Sequence, residues 1–420
     1  MIFLSNSLFD NAIICTIMQA IKELYKIGRG PSSSHTLAPE RACRLFTEKY
    51  GTYPFYRAEL YGSLSLTGRG HNTDGIIKET LPGETEVVFL LDWQESFPNG
   101  FYLIACDENH QEVHRWTVFS LGGGSIQIKE YPLDWNREVY TETSFKEIVQ
   151  VCREKNYTLQ EYVYAHEPEL KEHLLDILHA EIQCVEQGLS NTGVLPGKLG
   201  MMRSAHDLYR SAVILPKDER DRLKLMAYAY AASEENAGSH TCVTAPTLGA
   251  CGVMASMLYY CWKDLGVDED VLADALAVGG LFGNLIKANA TISGAVGGCQ
   301  AEVGAAVSMA SAAFSFVDDQ TIEQIEYAAE IGMEHNLGLT CDPVLGYVMI
   351  PCIERNAMGI LRARDASLLS RTMSAIKPHM VSFDMVVNTM NETGKQIPIT
   401  LKETSTGGLA REFEEQNPEK

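Results

Sequence analysis

The stretch DVLADALAVGGLFGNLIKANATISGAVGGCQAEVGAAVSMASAAFSFV (residues 270–317) decides how the second half of the chain is built. It is rich in Ala, Gly and Val, which permits helices to approach closely. Asp274, Asn284, Lys287, Asn289 and Glu302 interrupt it. No uninterrupted apolar run of about 18 residues exists, so a membrane span is not the reading. Buried helices of a large core are. Upstream, Ser144 with Glu147 and Thr158 with Glu161 form capping boxes, the first followed by Phe145, Ile148, Val149 and Cys152 at helical spacing. Leu170, Leu174, Ile177, Leu178, Ile182, Val185 and Leu189 line one face of a long helix that starts near Pro168. Asp218 to Tyr230 repeats the pattern, and Thr321 with Gln324 caps a further helix.

Towards the N-terminus the signal changes. Residues 18–27 read as a short helix ending at Gly28, and Ala42, Leu45, Phe46 and Tyr50 as an amphipathic helix closed by Gly51. Ala58–Gly62, Glu86–Leu91, Phe101–Cys106, Val113–Leu121 and Ile126–Lys129 are β-branched or aromatic runs set off by Gly, Pro, Asn and Asp. Residues 132–143 are polar and read as a linker. The expected fold class is α+β: a small N-terminal α/β domain over residues 18–136, then a larger all-α domain over residues 137–420. Residues 1–17 are apolar with Asp10 and no Lys or Arg, so they read as an extension rather than a secretory signal.

Bulk properties narrow the function. The 420 residues suggest two domains. A net charge of −21 argues against nucleic acid and anionic membrane as partners. The 11 cysteines are too sparse for a disulfide scaffold and read as reduced thiols in a cytoplasmic protein.

Three cysteines stand apart. Cys299 lies in Gly297-Gly298-Cys299-Gln300, Cys341 in Leu339-Thr340-Cys341-Asp342-Pro343, and Cys352 in Ile350-Pro351-Cys352-Ile353-Glu354-Arg355-Asn356. Each has Gly or Pro nearby and polar neighbours, unlike an ordinary buried thiol. They read as thiolate ligands of an iron–sulfur cluster, with zinc as the competitor. Three ligands on a cubane leave one iron open to act as a Lewis acid. Hydroxyl-rich turns accompany them. Ser32, Ser33, Ser34, His35 and Thr36 could clamp a carboxylate or phosphate, form a Ser–His pair, or simply cap a helix. His71 sits between glycine and polar residues in Gly68–Asp74, as an acid/base or a structural histidine. Thr244 to Thr247, and Lys402, Thr404 and Ser405, lie in turns suited to an ammonium or carboxylate, or in plain loop.

Together these motifs resemble the bacterial iron–sulfur-dependent L-serine dehydratases. The resemblance is carried by GPSSSHT (30–36), YGSLSLTGRGHNTD (61–74), SLGGG (120–124), TAPTLGACG (244–252), SGAVGGCQAEVG (293–304), AAEIGMEHNLGLTCDPV (328–344), IPCIERNA (350–357) and KETSTGGLA (402–410), and runs from about residue 18 to 410. It implies a [4Fe–4S] cluster on Cys299, Cys341 and Cys352, no pyridoxal phosphate, and an acid/base at His71. It further implies a substrate-contacting Ser120 and roles for Thr244, Thr247 and Arg355. The implied reaction is β-elimination from L-serine to pyruvate and ammonia, in amino-acid catabolism, with a homodimer as the expected assembly. Relatives acting on L-threonine or L-cysteine, and a non-catalytic sensor on the same scaffold, are the alternatives. Two departures matter. No cysteine follows Cys352, where many relatives end in one, and Phe97 stands where relatives often carry His.

Overall fold

The computed structural model describes residues 18–95, 97–133 and 138–419. The extension read at residues 1–17 and part of the linker lie outside the described residues. Strand β1 (Ile27–Arg29) leads through a π-helical turn, Ser33–Leu37, into α1 (Ala38–Tyr50). Then come β2 (Phe55–Tyr61), the short α2 (Ser63–Leu66), α3 (Thr73–Thr80), β3 (Glu84–Phe89), β4 (Gly100–Cys106), β5 (Glu112–Gly122) and β6 (Ser125–Ile128). The last five strands form one sheet in the order β3-β2-β4-β5-β6. Only β2 and β3 are parallel; the α2–α3 connection between them supplies the crossover that a parallel pair requires. Period-two alternation puts Tyr56, Ala58, Leu60, Phe101, Leu103, Trp116, Val118 and Ile126 on one face, packed with α1 and α3 through Ala42, Phe46, Ile76 and Ile77.

The helical unit follows as α4 (Phe145–Lys155), α5 (Leu159–His166), α6 (Leu170–Ser190), α7 (Ala205–Val213), α8 (Lys217–Ala237), β7 (Thr241–Val243), α9 (Cys251–Lys263), α10 (Glu269–Asn289), α11 (Gly294–Gly297), α12 (Val303–Val317), α13 (Ile322–Glu334), α14 (Cys352–Ser374), α15 (Phe383–Gln396) and α16 (Gly408–Gln416). All three capping boxes form, at Ser144–Glu147, Thr158–Glu161 and Thr321–Gln324. At the centre, α12 packs against α10, α13 and α14. Among the described residues α10 is the one helix long and apolar enough to cross a membrane, but 83% of that window is buried inside the fold. It is a core helix, as the interrupted apolar pattern predicts.

The expected helix over residues 18–27 does not form. The chain makes a 3-10 turn at Ile21–Glu23 and then β1, which pairs antiparallel with β7. A helix this short gains little on its own, whereas Met18, Ile21, Leu24 and Tyr25 bury completely or nearly so among the helices. This strand pair is also the exception to the all-α reading of the second unit.

Candidate active site

The candidate site gathers the π-helical turn, the loop after α2, and three segments of the helical unit around Cys299, Cys341–Cys352 and Glu403. His35 and His71 are both buried, at 0% and 1% exposure. Their rings stack with centroids 4.2 Å apart. His71 Nδ1 lies 2.9 Å from the Thr67 carbonyl, which can only accept, so Nδ1 carries the hydrogen and Nε2 the free lone pair. Burial pushes the His71 pKa down to about 4, and pushes His35 down as well. Both rings are thus neutral at pH 7. The ring of His35 is pinned from both sides: Nδ1 lies 2.8 Å from Ser34 Oγ, and Nε2 2.9 Å from Thr67 Oγ1. Gly70 lets this loop reach the rest of the site, since a Cβ there would meet the Gly346 carbonyl oxygen at 2.6 Å.

Opposite the histidines lies a second group. Cys299, Glu302 and Cys341 bring their ligand atoms within 4.8 Å of one another, as do His35, His71 and Glu403; either group could hold a metal ion. Cys352 opens α14. The hydrogen bond from Cys341, with help from Arg355, pulls the Cys299 thiol down to about 6. Cys341 is pushed up, first by acting as the donor to Cys299 and then by burial. Cys352 is pushed up by burial and by the Cys299 charge. One thiolate forms readily and each further negative charge is opposed, so a soft cation among the sulfurs would relieve all three. The donor set therefore fits a thiolate-bound metal group. Arg355 lies against this group, donating to the Thr340 carbonyl at 2.5 Å and pairing with Asp342 at 3.7 Å.

Glu403 joins the two groups. Its N–H donates to the Cys341 carbonyl at 2.7 Å, and its own carbonyl accepts from Ser63 Oγ at 2.7 Å. These bonds hold it in the left-handed region, φ 57°, where a non-glycine residue is strained. Its Oε1 lies 3.6 Å from His35 Nδ1 and accepts from Ser34 Oγ at 3.4 Å. Burial and the Cys299 charge push its pKa up to about 8, and burial with Glu403 itself pushes Glu302 well above the carboxylate range. Neither glutamate was singled out from the sequence. The available signal was a lone acidic residue inside each of two glycine-rich, hydroxyl-rich motifs.

The other expected site residues divide. Ser32 and Ser34 face His35. Ser33 Oγ accepts from the Leu248 N–H at 2.6 Å, and Thr36 Oγ1 donates to backbone carbonyls of Arg29 and Ser32, so both act on the scaffold. Ser120 Oγ donates to the Ser34 carbonyl at 3.0 Å, tying the sheet to the π-helical turn. Thr244 Oγ1 accepts from the Lys26 N–H and donates to the Leu24 carbonyl. Thr247 Oγ1, by contrast, is buried against the Glu302 carboxyl rather than bonded to its own backbone. Lys402 pairs backbone-wise beside Cys341, while Thr404 and Ser405 give their hydroxyls to the Ile399 and Pro343 carbonyls. Phe97 packs edge-on against Phe119, with centroids 6.2 Å apart.

Comparison with known proteins gives the family. The family model for the serine dehydratase alpha chain matches residues 107–410, and that for the beta chain matches residues 20–87. The L-serine dehydratase of Streptomyces coelicolor is 37% identical over 453 residues, covering 93% of this chain and 98% of the relative. L-serine dehydratase 1 of Escherichia coli is 36% identical, covering 94% and 99%. The Helicobacter pylori (strain ATCC 700392 / 26695) L-serine dehydratase is also 36% identical, covering 93% and 98%. The fold and site define an enzyme of the ammonia-lyase class. The chain belongs to the serine dehydratase family.

Proposed function

We propose that this chain carries out the reaction its family is named for, dehydration of L-serine to pyruvate and ammonia, on a [4Fe–4S] cluster held by Cys299, Cys341 and Cys352 and without pyridoxal phosphate. The observation that carries the reading is the junction at Glu403, which sets a neutral imidazole pair beside a group of thiols. When bound, the cluster supplies a Lewis-acidic iron that makes hydroxide a tolerable leaving group. Arg355 offsets part of the negative charge of the thiolates. His71 removes the α-proton at Nε2, the nitrogen left free by the hydrogen bond from Nδ1 to Thr67. His35, stacked on it and held by Ser34 and Thr67, keeps the ring from turning. The Cα–H electron pair becomes the Cα–Cβ double bond as the Cβ–O bond breaks. The resulting aminoacrylate tautomerises to the imine, and water then displaces ammonia to leave pyruvate. The working assembly is a homodimer in the cytoplasm; the ten described cysteines are all free thiols, in accord with a reducing compartment.

The test is pyruvate release from L-serine by anaerobically reconstituted protein, beside His71→Asn and Cys341→Ala. Activity lost in both variants is the expected result. Iron and sulfide bound without pyruvate would overturn the substrate, with L-threonine and L-cysteine assayed next. Full activity in Cys341→Ala would overturn the cluster.

A further inference from the structure

The carboxyl groups of Glu302 and Glu403 are given no chemical step in the reading above, and their surroundings are specific: Glu302 Oε2 accepts from Cys341 Sγ at 3.9 Å, and Glu403 Oε1 from Ser34 Oγ at 3.4 Å. Glu403 is 4% exposed, and its Oε2 is buried without a hydrogen-bond partner. A buried carboxylate oxygen left unpaired costs free energy unless something arrives to pair it. Its backbone is clamped by Cys341 and Ser63 in a left-handed conformation, so the side chain is held in place rather than free to swing to solvent. Glu302 faces it. A Cβ placed on Gly294 would lie 2.6 Å from Glu302 Oε2 and 3.4 Å from Glu403 Oε2, so both oxygens converge on the face of one glycine, an approach that a larger residue would obstruct. The same probe on Gly249 lies 3.3 Å from Glu302 Oε1 and 3.9 Å from Thr247 Oγ1. Ser293 Oγ, on the residue before Gly294, is buried and unpartnered, and the buried Thr247 hydroxyl lies against the Glu302 carboxyl.

We infer that Glu302 and Glu403 bind the ammonium group of the amino-acid substrate, with the Thr247 hydroxyl as a further acceptor. An ammonium offers three donors and no acceptor, and each carboxyl of this wall keeps an oxygen that can accept. The nearest guanidinium, Arg355, is engaged by Thr340, Asp342 and Cys299 and does not neutralise the glutamates. The inference rests on the reading under Proposed function, and it gives that reading an orientation. Glu403 lies within 4.8 Å of both imidazoles, so an amine held there places the adjacent Cα–H before His71. It also names a selectivity: a 2-hydroxy acid of the same shape is rejected, because its hydroxyl supplies one donor where three acceptors wait.

The experiment uses L-alanine and L-lactate, unreactive ligands that differ only in ammonium against hydroxyl. Their dissociation constants are measured by calorimetry on anaerobically assembled wild type, Glu403→Gln, Glu302→Gln and Gly294→Ala. Wild type is expected to favour L-alanine, and each variant to narrow the preference by about tenfold or more, the size of a charge-assisted hydrogen bond. Glu403→Asp should restore part of it. If Glu403→Gln fails to fold, Gly294→Ala, which presses a methyl group against both carboxyls and displaces them, decides the matter. An unchanged alanine-to-lactate preference in the folded variants, with serine still turned over, overturns the inference. Absence of pyruvate from wild type overturns the underlying reading instead.

Discussion

Thr244→Val separates two roles for one hydroxyl. In the fold that hydroxyl is fully buried, accepts from the Lys26 N–H at 2.9 Å and donates to the Leu24 carbonyl at 2.5 Å. Valine has nearly the same shape and neither bond. Two backbone groups then lose their partners where β1 meets the helical unit. Each costs about 1–3 kcal/mol, so the variant should be destabilised by roughly 2–6 kcal/mol. The assay is a urea titration of wild type and variant, in which the midpoint falls while the slope stays constant. Serine turnover, measured below the transition, should stay within about threefold, since an effect confined to the scaffold leaves the transition state untouched. A variant with an unchanged midpoint and a hundredfold lower kcat would refute the reasoning. It would mean that the hydroxyl leaves its backbone partners to act on substrate.

Replacing Cys299, Cys341 or Cys352 singly by alanine should abolish bound iron and sulfide, read by metal analysis and by the visible absorption of anaerobic protein. His71→Asn should lower kcat by about 10²–10⁴ while changing serine binding little, in the range of a lost general base. Because burial depresses the pKa of His71 to about 4, the native state binds fewer protons than the unfolded one between that value and the ordinary histidine value. Its contribution, roughly 3 kcal/mol, is full above about pH 6.5 and lost as the pH falls towards 4. Unfolding midpoints measured across that window should slope less in His71→Asn. Glu181 on α6 is fully buried with both carboxyl oxygens unpartnered, and burial raises its pKa well above the carboxylate range. Glu181→Leu should therefore raise stability by about 1–3 kcal/mol at pH 7, with the gain shrinking as the pH drops towards 5.

The helical unit was legible because its signals are local. The Ser144–Glu147 box needs only four residues, and the apolar face of α6 only its own turns. The strands were legible for the same reason, each within a few residues of its reading. The site was legible in part. The cysteines and His71 announce themselves by their glycine and proline neighbours. Glu403 does not, because what distinguishes it is Ser34, 369 residues away, and the Cys341 carbonyl. Hydroxyl-rich turns misled for the complementary reason. A serine in a turn looks the same whether it faces a ligand or its own backbone, and Ser405 and Thr404 do the latter. Residues 18–27 were misread because helical spacing describes a segment in isolation, while β7 offered it a partner more than 200 residues on.

That strand pair bears on how the molecule could be partitioned. Residues 20–87 answer to a beta-chain description and residues 107–410 to an alpha-chain one. Yet Met18, Ile21, Leu24 and Tyr25 fill the core of the second part, and β1 completes its edge. The first part thus carries a hook that the second needs for its own integrity. Severed in the polar stretch, the two fragments would complement each other as a heterodimer, with His35 and His71 arriving on one and the thiols on the other. Continuity of the polypeptide then supplies local concentration rather than contact.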